Sequence, residues 1–600
     1  MATKNYVICV GGVGARILEG IVRLCECGYI AEDELNCIMV DVDKSNGNAS
    51  SVKRLITSYN GCRKVIGAEN NAEGVGIFKT KIVGAGAEGS FNATPISSGT
   101  ANVSIQRNLV GKSEDDDLNT EANNIMKAFF TKEEYTRVLD QGFYANPLIG
   151  SLFFNEALES QNNDNNGIYA LLNKMAGEIK DGHIVKIFIS GSVFGGTGAS
   201  GLLPLCVKLL NLIEEEAEND GVALNERRNN LHIFGCLMLP YFKYADGTAP
   251  KGAIIDHKEF NETARYVLEG YNILINSDTK DKVFDKLYMV GDPDKTTRGL
   301  YFEQGSQQCN WPHVLELFAA SEAGKFFAEP HETPQEGEEP YARPAVYADP
   351  FEIEGGNIHA LQWGDYGRND RTKSDKLQKS IEDFHLFNYY FSTYLVPLFY
   401  DFSGATGKYL ESWLPDKKTK KSKARFASLP TWAKKAFIEE EGGIFGFFTK
   451  KRWKYSLSAE FAEVYKYFTE SAQWYYKVIH VFPSADEHKP CWESSPEGVH
   501  TCSLSECQKN KSVLLSFFGA DGAKMLARRT CMPKRSEFIS ESKSFLDNIE
   551  QSALLDAREL PEFDSLDLGK NTDRSGYSVF QELIKKAFVM VQSTRTIARG

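Results

Sequence analysis

Three glycine-rich segments in the first third of the chain could bring their backbones close to phosphate groups. The first glycine turn, residues 10–15, reads VGGVGA, and the second glycine turn, residues 194–201, reads FGGTGASG; each follows an apolar run. The Asn-Pro turn, residues 142–150, reads GFYANPLIG and precedes a helical pattern. Glycine permits close approach, and the first turn of a following helix offers unpaired N–H groups and the positive end of its dipole. These turns predict an anion site, with an ordinary tight turn as the alternative for each segment taken alone.

Continuous apolar runs place these turns within an α/β domain. Residues 6–10, 37–42, 184–189, 231–239 and 287–290 read as strands, and helical patterns separate them. Such runs are typical of strands buried on both faces of a parallel sheet. The second glycine turn also adds the Thr197 hydroxyl to a nest of backbone N–H donors. The sequence therefore predicts a Rossmann-like parallel sheet with phosphate sites at its strand ends.

Length, charge and cysteine content narrow the class of protein. Six hundred residues exceed one hydrophobic core, so we expect more than one domain. A formal net charge of −13 argues against a protein that mainly coats nucleic acid or an anionic membrane. The N-terminal residues do not read as a signal peptide, and we expect no membrane span because no uninterrupted apolar run is long enough to cross a bilayer. Because the 12 cysteines are mostly scattered singly, we expect a cytoplasmic protein with reduced thiols.

In this order, the three turns resemble the nucleotide-binding loops of the tubulin/FtsZ superfamily. The second glycine turn resembles the family's GGGTGSG signature, and the Asn-Pro turn resembles the GxGANPxxG loop of FtsZ. Residues 309–314 (CNWPHV) resemble the start of the family's central helix, so the resemblance covers roughly residues 1–330. The chain departs from the signature at Phe194 and by one extra residue before Gly201. It is most similar to the divergent bacterial tubulin-like proteins.

The resemblance implies that the chain binds GTP or GDP together with Mg²⁺. It implies a phosphate cradle made by the backbone of Gly11, Gly12, Val13, Gly14, Gly195, Gly196, Thr197 and Gly198, with Ala145 and Asn146 in the third loop. Asp41 or Asp43 would approach the nucleotide and Mg²⁺, which needs few carboxylate oxygens beside phosphate and water. A solvated strand end is the alternative for this pair.

The base would be recognised by two further residues. The resemblance places the Asn310 amide against guanine, and Asp292 could accept hydrogen bonds from guanine N1 and N2. A helix cap is the alternative meaning of either residue.

Self-assembly and hydrolysis are also implied by the resemblance. Tubulins and FtsZ form filaments in which neighbouring subunits sandwich the nucleotide, and FtsZ carries acidic residues for hydrolysis in a GxxNxDxxD loop. The nearest match here is residues 367–375 (GRNDRTKSD), where Asp370 and Asp375 have a shifted spacing. An activating carboxylate has to reach the attacking water, so hydrolysis is a hypothesis and a polar cap before the next helix is the alternative.

Two other classes of protein remain open. Residues 11–14 (GGVG) with residues 40–46 (VDVDKSN) resemble the ThiF and ubiquitin-activating enzymes, which adenylate a carboxylate with ATP. That family gives no role to a second glycine turn, and its Cys-x-x-Cys knuckles are absent here. A nicotinamide-binding Rossmann domain would need only one glycine turn.

The predicted plan has four parts. Residues 1–308 form the nucleotide-binding domain, 309–330 the central helix, 331–378 an acidic insertion and loop, and 379–600 a mainly helical region that could recruit a protein partner. The basic runs at 417–425 and 450–454 are expected to be solvated. A group rich in potential Zn²⁺ ligands lacks a Cys-x-x-Cys knuckle, so we predict no metal site at His488, Cys491, His500, Cys502 and Cys507.

Overall fold

The computed structural model describes the following residues: 2–43, 45–66, 76–96, 103–109, 121–139, 142–159, 167–244, 254–276, 283–291, 296–297, 305, 308, 310, 312–330, 376–377, 380–381, 384, 438–441, 450–453, 467–468, 470–471, 474–475 and 478. Its strands are β1 (Thr3–Val10), β2 (Glu34–Val40), β3 (Lys81–Gly84), β4 (Asn92–Ala93), β5 (Ile184–Ser192), β6 (Leu231–Met238), β7 (Phe242–Lys243), β8 (Lys286–Val290), β9 (Thr296–Thr297), β10 (Ile438–Glu441) and β11 (Lys450–Trp453).

The described α-helices occur singly or in groups between the strands through residue 328. They are α1 (Gly11–Glu26), α2 (Gly47–Ile66), α3 (Glu121–Phe129), α4 (Lys132–Thr136), α5 (Pro147–Glu159), α6 (Ile168–Lys180), α7 (Gly196–Asp220), α8 (Leu224–Arg228), α9 (Phe260–Asn276) and α10 (Val314–Ala328).

A seven-stranded parallel sheet forms the centre of the described fold. Its order is β3-β2-β1-β5-β6-β8, and β4 also pairs with β2. Every pairing in this sheet is parallel, with Val7 opposite Cys37 on one side and Phe188 on the other. The predicted α/β class and parallel sheet are confirmed. The apolar strands are buried on both faces because helices cover them.

Two groups of helices cover the sheet. Helix α1 packs on α2 and α10, whereas α7 packs on α5 and α6. The connection β1-α1-β2 runs towards one edge of the sheet and β5-α7-β6 towards the other. Right-handed crossovers in opposite directions place their helices on opposite faces, which is the doubly wound arrangement.

Some element boundaries differ from the sequence-based expectation. Helix α7 begins at Gly196 rather than near Leu202, so the second glycine turn forms the helix's first turn. Strand β2 ends at Val40, which leaves Asp41 and Asp43 in the connection to α2. The short strands β3 and β4 were not predicted, because four and two residues are too few to show a pattern.

Several of the described residues beyond 375 share the core of the parallel sheet. Phe384, Tyr467, Phe468 and Tyr475 are almost fully buried in the same hydrophobic cluster as α1. The described positions between 467 and 478 are helical, as predicted, whereas the antiparallel pair of β10 and β11 was not predicted. The basic run at 450–454 therefore includes a strand.

Within the described ranges, one helix is long and apolar enough to cross a membrane by length and composition alone. It is α7, and most of its apolar window is buried inside the fold. The core position of α7 accounts for this composition.

Candidate functional site

The two glycine turns meet at the carboxyl edge of two neighbouring strands. Helix α1 begins directly after β1, and α7 begins four residues after β5. Gly11 has a φ of +74°, and a Cβ at this residue would lie 3.2 Å from the backbone nitrogen of Gly198 and 3.4 Å from Thr197 Cβ. Neither N-cap, Val10 nor Gly195, makes a side-chain cap to its helix. First-turn N–H groups of two helices are thus brought side by side, a suitable environment for an anion.

The carboxyl ends of β1 and β5 lie at the switch point of the sheet. From β1 the chain proceeds to β2 on one side, and from β5 it proceeds to β6 on the other. In open α/β sheets the crevice outside the carboxyl ends at such a point is the usual ligand site.

The glycines of the two turns serve different purposes. A Cβ at Gly14 would lie 2.8 Å from the carbonyl carbon of Cys9, and one at Gly198 would lie 2.6 Å from the Ser192 carbonyl oxygen. These two glycines are required by backbone packing. At Gly12, in contrast, a Cβ would meet only side-chain amides, at 3.5–3.8 Å, so backbone packing does not require glycine there.

Asp41 lies beside the second glycine turn. The Thr197 hydroxyl donates to Asp41 Oδ1 at 3.2 Å, and the Val42 N–H donates to the same oxygen at 2.8 Å. Desolvation, together with the charge of Asp43, raises the pKa of Asp41 to about 7. A carboxylate next to a hydroxyl at the strand edge could hold a cation such as Mg²⁺ beside phosphates.

Asp43 has a different structural role. It is buried, its Oδ1 accepts hydrogen bonds from the backbone and hydroxyl of Ser45 at 2.9 and 2.7 Å, and its Oδ2 accepts from the Gly305 N–H at 2.9 Å. These bonds join the β2–α2 connection to the segment that leads into α10. Asp43 is therefore not a solvated strand end.

Three amide side chains, those of Asn46, Asn48 and Gln308, gather near Gly12. Asn46 caps α2 through hydrogen bonds from the backbone of Asn48 and Ala49, and its Nδ2 donates to Gln308 Oε1 at 2.7 Å. The backbone N–H of Asn310 donates to Asn48 Oδ1 at 3.0 Å. The sequence predicts a ligand-binding role for Asn310, but it indicates none for Asn48 or Gln308. The N-x-N spacing after a strand was the only available signal for Asn48.

The Asn-Pro turn packs against the second glycine turn. A Cβ at Gly196 would lie 2.7 Å from Phe143 Cβ, and Tyr144 and Ala145 have positive φ values of 51° and 56°. Asn146 Oδ1 accepts from the backbone of Leu148 and Ile149 at 3.1 and 3.2 Å, and thus caps α5. The turn adjoins the site, while the Asn146 side chain is occupied as a cap.

The remaining predicted site residues, Asp292, Asp370 and Asp375, lie outside the described residues. So do His488, Cys491, His500, Cys502 and Cys507. Within the part of the chain that the structure describes, no group of three His, Cys, Asp or Glu side chains could hold a metal ion. A Mg²⁺ ion bound there would therefore need further oxygen ligands from the bound small molecule and from water.

Comparisons with protein-family models, curated proteins and solved structures found no significant match to this chain. Its described architecture is that of a doubly wound α/β protein with two apposed glycine turns at the switch point of the sheet.

Proposed function

We propose that this protein binds a guanine nucleotide in the manner of the tubulin/FtsZ superfamily. One observation carries the proposal: the first turns of α1 and α7 touch at Gly11, Thr197 and Gly198, outside the carboxyl ends of adjacent parallel strands. A single glycine turn would suffice for a dinucleotide. Two turns, with the Asn-Pro turn against the second, support a chain of phosphates held between two helix N-termini.

Each part of the site has a role in this proposal. Backbone N–H groups of the two glycine turns bind phosphate oxygens. The Thr197 hydroxyl, which donates to Asp41 in the free protein, would exchange that bond for one to a phosphate oxygen. Asp41 lies where it could support Mg²⁺ through one oxygen or through water. The amides of Asn46, Asn48 and Gln308 around Gly12, together with Asn310, whose backbone bonds to Asn48, bind the rest of the nucleotide. Mg²⁺ would supply charge neutralisation of the phosphates.

The proposal includes self-assembly, with the nucleotide buried between neighbouring subunits. Its support is the resemblance of the three turns to the family. Hydrolysis of GTP by Asp370 or Asp375 of an adjoining subunit is part of the same proposal.

Nucleotide extracted from the purified protein would test the class of ligand. Chromatography of the acid extract is expected to yield GTP or GDP. ATP or AMP would instead favour a ThiF-type adenylating enzyme, and NAD a nicotinamide-binding domain.

The substitution Gly12→Asp tests the site itself. A Cβ at Gly12 meets its nearest neighbours at 3.5–3.8 Å, so a Cβ can be accommodated there, as it cannot at Gly196. The carboxylate would occupy the anion site, and like-charge repulsion of several kcal/mol should lower nucleotide affinity roughly a hundredfold or more. Without nucleotide, an acidic residue in the first turn of α1 should leave the melting temperature unchanged or raise it.

Gly177→Asp on α6 is the matched control, because nothing lies within 4 Å of its Cβ position. It should bind nucleotide as the wild type does in isothermal titration. Wild-type affinity in folded Gly12→Asp would contradict the proposed site.

A further inference from the structure

Asn48 carries a buried amide nitrogen that lacks a hydrogen-bond partner among the described residues. The residue is only 4% exposed, and its Nδ2 is the unsatisfied atom. This nitrogen lies 3.5 Å from the position of a Cβ on Gly12, the nearest heavy atom to that point. The unpaired donor therefore faces Gly12 in the first turn of α1.

The orientation of this amide is fixed by a backbone group. The Asn310 N–H can only donate, and it donates to Asn48 Oδ1 at 3.0 Å. Rotating the amide by 180° would set two donors against each other, so the –NH₂ end must stay on the other side. The Asn48 backbone is also held, because its own N–H donates to Asn46 Oδ1 at 2.9 Å.

An oriented donor without a partner is costly inside a protein, and a ligand with an acceptor at that point removes the cost. We infer that Asn48 is a nucleotide-binding residue whose Nδ2 donates a hydrogen bond to an acceptor oxygen of the nucleotide at the first turn of α1. The inference rests on the proposed function. The acceptor is either a phosphate oxygen or the carbonyl oxygen of a guanine base, and a ligand that presented a donor at this point would be disfavoured.

Two substitutions separate the donor from the other properties of Asn48. Asn48→Asp keeps the oxygen that accepts from Asn310 but replaces the –NH₂ donor with a charged oxygen. Asn48→Ala removes both the donor and the acceptor without adding charge. We expect both variants to bind GTP more weakly in isothermal titration, by about tenfold for Asn48→Ala and roughly ten- to a hundredfold for Asn48→Asp.

Each departure from this pattern overturns the inference in a recognisable way. A loss confined to Asn48→Asp means charge repulsion alone, and a loss confined to Asn48→Ala means that only the contact with Asn310 matters. Wild-type affinity in both variants means that Nδ2 does not contact the nucleotide. Asn225→Asp is the control, since Asn225 is exposed on α8, ahead of β6 and at the opposite edge of the sheet.

A series of GTP, GDP, GMP and guanosine identifies the acceptor. A loss that persists with guanosine assigns the base carbonyl, and a loss that disappears with guanosine assigns a phosphate oxygen; either result supports the inference. Failure of the wild-type protein to bind any nucleotide would refute the proposed function. Wild-type binding with unaffected Asn48 variants would refute only the role of Asn48.

Discussion

Asp41 and Asp43 show how two carboxylates two residues apart acquire different properties. Asp43 is buried and accepts three hydrogen bonds from the connection to α2 and from Gly305. Asp41 is half-buried and faces Thr197 at the edge of the sheet. Desolvation and the neighbouring charge disfavour its ionised form, which raises the pKa of Asp41 to about 7. A bound cation would favour the ionised form instead.

The raised pKa of Asp41 makes the stability of the nucleotide-free protein depend on pH. The unfolded carboxyl ionises near pH 3.8, whereas the folded one ionises near pH 7, so the folded state binds more protons between these values. The stability contributed by protonated Asp41 is therefore lost as the pH rises through this window. The substitution Asp41→Asn would keep the Oδ1 acceptor and remove the ionisation.

We expect Asp41→Asn to resemble the wild type in melting temperature near pH 4 and to exceed it increasingly towards pH 8. The difference between the two proteins isolates Asp41 from other titrating groups. A constant difference over the whole range would contradict the raised pKa of Asp41.

Helix α1 connects the candidate site with two other parts of the molecule. The first turn of α1 forms part of the candidate site. Its middle packs on α10, where a Cβ on Gly20 would lie 3.0 Å from Ala320 Cβ, and Arg16 pairs with Glu316 at 2.7 Å between Nε and Oε1. Helix α10 is also held at its end, where Lys186 Nζ donates to the Phe327 carbonyl at 3.2 Å.

The last turn of α1 binds a segment from the C-terminal half of the chain. Glu26 is fully buried and pairs with Arg23 at 2.9 Å. It also accepts hydrogen bonds from the Tyr467 hydroxyl, at 2.5 Å, and from the Ser471 hydroxyl. Burial raises the pKa of Glu26, although Arg23 and the two hydroxyls oppose this change. A buried carboxylate of this kind depends on each of its donors.

Tyr467→Phe should destabilise the protein by removing one of these donors. We expect a loss of about 1–3 kcal/mol in the free energy of unfolding, because a buried acceptor is left short of a partner. Denaturant titration provides the measurement. Tyr266→Phe is the matched control, since the Tyr266 hydroxyl donates to Glu262 at 3.3 Å on an exposed helix face, and its loss should cost less than about 0.5 kcal/mol. Equal effects of the two substitutions would show that the contact at Glu26 adds no stability.

At the scale of the whole molecule, the candidate site lies at the carboxyl ends of the central strands β1 and β5 rather than within the sheet. The carboxyl ends of β1 and β5 are neighbours, and the Asn-Pro turn packs against the second glycine turn beside them. A ligand at such an edge can be covered by a second molecule. The proposed assembly places a neighbouring subunit there.

If nucleotide is shared between subunits, binding and association are linked by mass action. Sedimentation velocity should then show larger species as GTP and protein concentration rise, because each subunit contact buries bound nucleotide. Gly12→Asp in the same buffer should not respond to GTP. A concentration-independent monomer in saturating GTP and Mg²⁺ would argue against the assembly and favour a nucleotide-dependent switch.

Local pattern was enough to predict the sheet and the strand ends at which the two glycine turns lie. Apolar runs without alternation specify strands buried on both faces, and the glycines that follow them specify tight entries into helices. The strands at β1, β2, β5, β6 and β8 were predicted for this reason. The contact between Gly11 and Gly198 follows once β1 and β5 are neighbours. The apolar sequence of either strand, however, does not specify the order of the strands in the sheet.

Only the tertiary structure decided which polar side chains meet at the site and which lie elsewhere. Asn48 and Asn310 are 262 residues apart, and their contact depends on the return of the chain from β8 to the start of α10. The same holds for Glu26 and Tyr467, which lie 441 residues apart. An amide or a carboxylate can find a partner in many local settings, so its role is fixed by the backbone group that long-range packing brings to it.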